Sequence, residues 1–194
     1  MRRVLVLATT FTLCLAMPAV AGGPNNVVLA SPTADGAQFH RSSVKVGSTA
    51  AKTVDSTNLA SANPHDCTGC EGIAVAYQAI IVTGDPTDVS PTNAAVAVNS
   101  NCTSCGAFAY AYQFVVSADR GTHLSRAGRD RVAAIRTAAA EAVDAGLPYD
   151  QLDAKLQALA ADFKAAVVDD LEHTGASPQP ATPDADVDEA PAGT

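Results

Sequence analysis

Two stretches of the chain are copies of one another at a spacing of 35 residues, and each contains a C-x-x-C. Residues 58–83 lie over 93–118 without a gap. Ten of 26 positions are identical, among them Asn58/Asn93, Cys67/Cys102, Cys70/Cys105, Tyr77/Tyr112 and Gln78/Gln113. A fixed period of this kind means that one supersecondary unit has been duplicated and stacked. A third, degenerate copy precedes them. Residues 26–30 resemble the opening run and 39–46 the closing one, and Asp35-Gly36 stands where the later copies place Cys-Thr-Gly-Cys and Cys-Thr-Ser-Cys. The connectors before the second and third copies both read V-x-x-T-N, from Val54 and from Val89.

Within the last copy, Phe108, Tyr110, Tyr112, Phe114 and Val116 alternate with Ala109, Ala111, Gln113 and Val115. A period of two is the mark of a strand. The middle copy repeats it, with Ile73, Val75, Tyr77 and Ile81 opposite Ala74, Ala76, Gln78 and Ile80. A second alternating run stands before each C-x-x-C. Strand, short turn, strand predicts a β-hairpin per copy, and Asp-Gly is a strong hairpin-turn signal because glycine accepts positive φ. The expectation is therefore three antiparallel hairpins, about six strands, over residues 25–121.

From about Ser125 the period becomes helical. Val132, Ile135, Ala139 and Ala142 form one stripe, with Gly146 as a stop. Pro148 suits the first turn of a second helix, along which Leu152, Leu156, Leu159, Phe163 and Ala166 recur at steps of four and three. The short loop between them predicts an antiparallel helical hairpin over 122–172. Rows of small residues, such as Ala60, Ala62, Ala95 and Ala97, predict a sheet face on which the alanine-rich first helix could lie closely. The whole reads as one α+β domain over 25–172: a small antiparallel sheet of repeated β-hairpins followed by a helical hairpin. Residues 173–194, rich in Pro, Ala and acidic side chains, read as a disordered acidic tail without core-forming residues.

Residues 1–21 read as an export signal. Arg2 and Arg3 form a positive start, an uncharged stretch follows, and Ala19-Val20-Ala21 is a small-x-small cleavage site that places Gly22 at the mature N-terminus. The uncharged stretch spans about 21 Å as a helix, short of a ~30 Å hydrocarbon core, so no stable membrane anchor is expected after cleavage. The net charge of −8 offers no basic footprint for nucleic acid. Cleavage removes Cys14 and leaves Cys67, Cys70, Cys102 and Cys105, an even number in an exported chain, which implies disulfides.

Four uses of these cysteines compete. Each pair could close on itself, clipping a turn at about 2 kcal/mol of entropic stabilisation for so small a loop. The pairs could cross-link neighbouring turns, worth about 4 kcal/mol apiece, if the tips align closely enough. Two C-x-x-C knuckles could instead supply a structural zinc tetrahedron, although an oxidising compartment opposes free thiolates. A redox dithiol normally sits at a helix N-terminus, whereas here the second cysteine leads into a strand. Elsewhere, His40, His65, His123 and His173 show no metal-ligand spacing, and Ser42, Ser43 and Ser125 belong to no triad pattern.

The tandem N-x-A-x-A, C-T-x-C, A-x-A-Y-Q pattern followed by a helical hairpin resembles a group of uncharacterised exported proteins of high-GC Gram-positive bacteria. It is also similar to the C-terminal region of proteins described as peptide zinc metalloproteases. The resemblance covers roughly residues 25–172 and implies an accessory extracytoplasmic module. The protease motif H-E-x-x-H is absent here, so that activity does not carry over. The functional expectation is a secreted, non-enzymatic binding or structural module with disulfide-clipped repeats, no cofactor, and an extracellular protein as partner. The alternative is an extracytoplasmic thiol-redox or zinc-binding protein using the two C-x-x-C pairs.

Overall fold

The computed structural model describes residues 23–173 and the backbone of residues 182–193. The expected cleavage between Ala21 and Gly22 lies outside the described residues. Among the described residues, eleven strands and two helices follow in chain order. Strands β1 (Asn26–Ala30) and β2 (Gln38–Thr49) come from the degenerate copy, and β3 (Thr53–Val54) from the connector after it. The middle copy supplies β4 (Thr57–Ala62) and β5 (Glu71–Thr83), the next connector β6 (Asp88–Val89), and the last copy β7 (Thr92–Ala97) and β8 (Gly106–Ala118). Then come β9 (Thr122–Leu124), helices α1 (Arg126–Asp144) and α2 (Tyr149–Val168), β10 (Leu171–His173) and β11 (Thr182–Gly193).

The strands of one copy do not pair with each other. Each pairs in parallel with its counterpart one copy away, giving the sheets β1-β4-β7 and β2-β5-β8 and the short pair β3-β6. The chain is thus a short parallel coil of three stacked turns, and the expected antiparallel sheet of hairpins is wrong. Between the second and third turns the register advances by the sequence period, Asn58 opposite Asn93 and Gln78 opposite Gln113. Between the first and second turns the partners are Asn26 with Asn58 and Gln38 with Glu71. Antiparallel pairing occurs in β9-β10 and where β11 lies along β8. Residues 182–193, expected in a disordered tail, therefore form an edge strand. Its Pro183 and Pro191 are tolerated there because an edge strand has a side free of ladder bonds.

Stacking of identical residues explains the repeated asparagine. Asn26 Nδ2 donates to Asn58 Oδ1 at 3.0 Å, and Asn58 Nδ2 donates to Asn93 Oδ1 at 2.9 Å. The same amides reach across the coil to the opposite sheet: Asn58 to Ala76 O and Tyr112 O, Asn93 to Ala111 O. A side chain as short as asparagine spans this gap because the interior is lined by alanine. Ala30, Ala60, Ala62, Ala74, Ala76, Ala107, Ala109 and Ala111 are all buried there with Val28. At Gly72 a Cβ would come within 2.8 Å of the Ala30 carbonyl oxygen, so the two sheets are too close for any side chain at that point. Gln113 Nε2 donates to Gln78 Oε1 at 2.6 Å and adds a second side-chain rung midway along β5 and β8.

The alanine rows therefore face each other inside the coil, and the two helices cover the opposite, bulky face of the β2-β5-β8 sheet, α1 chiefly along β2 and α2 over β5 and β8. There Ile73, Val75, Tyr77, Phe108, Tyr110 and Phe114 pack against Val132, Ile135 and Ala139 of α1 and Leu152, Leu156 and Phe163 of α2. Phe163 sets its ring edge-on to Tyr77 and Phe114, at centroid distances of 5.9 and 5.5 Å. The Tyr77 hydroxyl donates to Leu156 O at 2.8 Å, which satisfies the one polar atom of that buried ring. Ser125 caps α1 by accepting from Gly128 N at 2.9 Å. Gly146, at φ 62°, reverses the chain before α2.

Candidate metal and disulfide centre at the coil tip

The three turns that join the two long sheets stack on one another at one end of the coil. Backbone bonds carry the parallel register through them. Gly36 N donates to Thr68 O, Gly69 N to Thr103 O, Glu71 N to Ala37 O and Gly106 N to Cys70 O, all at 2.8–2.9 Å. These bonds make Gly36, Gly69 and Ser104 equivalent, and all three are left-handed, with φ of 68°, 66° and 56°. In the first turn Asp35 Oδ1 accepts from Thr68 N at 2.7 Å, tying it to the second. By the same register, Ala34 and Ala37 stand where the later turns carry cysteine.

In-register parallel stacking places Cys67 over Cys102 and Cys70 over Cys105. Within each turn the two sulfurs lie at disulfide-bonding distance, Cys67 with Cys70 and Cys102 with Cys105, with Cα atoms 6.3 and 5.9 Å apart. Between turns the separations are 3.6 Å for Cys67–Cys102, 4.0 Å for Cys67–Cys105, 3.8 Å for Cys70–Cys102 and 3.3 Å for Cys70–Cys105. All four sulfurs lie within 4.8 Å of one another, close enough to bind one metal ion. Cys67 and Cys70 are buried, and the third-turn pair is half-buried. Sequence spacing thus leads to all four site residues. Their convergence comes from the parallel stacking, since an array of independent hairpins would not stack its tips by rule.

Beside the cysteines, Asp66 and Asn101 are left-handed at φ 55° and 49°, and Asn101 Nδ2 donates to Asp66 Oδ1 at 2.6 Å. That bond, with a second from His65, holds the Asp66 carboxyl below its usual range. Among the described residues, the non-glycine residues with positive φ are Asp66, Asn101 and Ser104, all in these two turns. Such conformations carry strain and gather where surrounding structure imposes them.

A second polar cluster was not legible in the sequence, because its members come from four elements. His40 of β2 places Nε2 at 3.0 Å from Glu71 Oε2 and Nδ1 at 3.3 Å from Asp144 Oδ1. Tyr149 donates to Glu71 Oε1 at 3.0 Å; burial, reinforced by the Glu71 charge, pushes its hydroxyl above the ordinary tyrosine range. Coil and helices are cross-braced here. Both ring nitrogens of His40 face carboxylates, so neither is placed to activate Ser42 or Ser43, which share its groove beside α1. His65 bonds to neighbouring Asp66. Among the described residues, no helix is long and apolar enough to cross a membrane. No protein-family model, curated protein or solved structure matches the chain.

Proposed function

We propose that the protein is an exported, non-enzymatic binding or structural module, a rigid three-turn coil whose cysteine pairs clip its exposed turns. The observation that carries this reading is the use made of the buried polar side chains. Asn26, Asn58, Gln78 and Gln113 bond to one another and to backbone carbonyls across the coil, and Ser125 caps a helix. Polar groups buried in this way hold strands in register, and among the described residues they do not converge as acid, base and nucleophile. The acidic net charge favours a protein over nucleic acid as partner. Export rests on the charged start, uncharged stretch and Ala19-Val20-Ala21 of the sequence.

N-terminal sequencing and non-reducing peptide mapping of the secreted protein test both halves of the proposal. The chain should begin at Gly22 and yield Cys67 joined to Cys70 and Cys102 joined to Cys105. A product that keeps Met1 in the membrane fraction would overturn export. Crossed peptides would overturn the clips.

A further inference from the structure

The same tip has a second chemistry that is independent of the export reading. We propose that, with its thiols reduced, Cys67, Cys70, Cys102 and Cys105 form a tetrathiolate site for zinc that ties the second turn of the coil to the third. Zinc bound by four thiolates sits in a tetrahedron with bonds of about 2.3 Å, which sets sulfur–sulfur edges of about 3.8 Å. The four separations between turns, 3.3, 3.6, 3.8 and 4.0 Å, already bracket that edge. They are set by backbone stacking, since parallel neighbours lie about 4.8 Å apart.

What must change is local. The two sulfur pairs lie side by side, so each pair has to part and one has to turn relative to the other. Rotation of the cysteine side chains about χ1 does this while the Cα atoms stay 6.3 and 5.9 Å apart within the turns. Burial of Cys67 and Cys70 excludes water from one side of the site. All four ligands are soft sulfur, which selects zinc over calcium or magnesium. Binding displaces thiol protons, so affinity falls as pH falls. A disulfide closes only its own turn, whereas the metal bridges two. The first turn, with Ala34 and Ala37 at the equivalent positions, stays outside the site.

The test is an anaerobic titration of the full-length, metal-free, reduced protein with Co2+ and then Zn2+, followed by absorption and circular dichroism. One Co2+ per chain, with the charge-transfer and d–d bands of a tetrahedral tetrathiolate centre and displacement by one Zn2+, is the expected result. Cys67→Ser and Cys105→Ser, one from each turn, should each abolish that spectrum, while Ala34→Ser should leave it intact. A folded reduced protein that takes up no stoichiometric metal overturns the proposal, as does metal binding that survives loss of either cysteine. A reduced chain that unfolds and is not refolded by Zn2+ overturns it too. Because the titration uses reduced protein, its failure leaves the peptide map of the secreted form standing, and an unexpected map leaves the metal site standing.

Discussion

Ser104 holds the position that Gly36 and Gly69 hold in the other two turns, and its backbone is equally left-handed. A residue with a Cβ is strained there, by roughly 1 kcal/mol, because Cβ crowds the following carbonyl oxygen. Glycine removes that clash and loses more chain entropy on folding, so the two effects partly offset each other. Ser104→Gly should therefore stabilise the fold by up to about 1 kcal/mol, and Gly69→Ser should destabilise it by a similar amount. Urea denaturation of the three proteins side by side checks this. Equal midpoints would show that the turn relaxes around either residue. Asp66 and Asn101 are tolerated at positive φ for a different reason, since both side-chain types enter that region more readily than others and here they bond to each other.

At the scale of elements, the asparagine row distinguishes a ladder from a set of independent strands. Asn58 sits in the middle, accepting from Asn26 and donating to Asn93 and to carbonyls of β5 and β8. It is fully buried, so replacement by alanine strands several buried polar groups at once. Asn58→Ala should cost about 2–4 kcal/mol, on the basis of 1–3 kcal/mol per unsatisfied buried group with some relaxation. Asn93 is the last rung and only half-buried, so Asn93→Ala should cost about 1 kcal/mol. Chemical denaturation measures both. A ladder that behaves as separate strands would make the two costs equal.

For the molecule as a whole, the coil has two apolar surfaces with different duties. The alanine interior brings the sheets together, and the aromatic outer face needs the helical hairpin as its cover. Phe163 is the residue through which α2 meets both Tyr77 and Phe114, and it is fully buried. Phe163→Ala should destabilise by about 3–5 kcal/mol, the range for removing a buried aromatic ring and leaving its cavity. The expected reading is a lowered denaturation midpoint with loss of near-ultraviolet circular dichroism from the tyrosines. A loss below about 1 kcal/mol, outside that range, would mean that the helices are dispensable to the coil. The edges are guarded as well. β11 lies along β8, and Arg136 of α1 donates to Val44 O on β2 at 3.1 Å; both arrangements occupy backbone groups that an exposed edge would offer to another chain.

Side-chain periodicity was enough to assign the faces. Phe108, Tyr110 and Phe114 do lie on one side of β8 and Ala109 and Ala111 on the other, and the α1 stripe of Val132, Ile135, Ala139 and Ala142 is buried throughout. These are local properties, because alternation and helical stripes follow from one residue's position relative to its near neighbours. The choice of partner strand is not local. Hydrogen-bonding groups of the backbone are the same in parallel and antiparallel ladders, so a turn between two alternating runs is equally compatible with a hairpin and with one corner of a coil. Tertiary stacking decided that choice, putting Asn26, Asn58 and Asn93 in one row, turning the alanines inward, and bringing four sulfurs spaced along the chain to a single point.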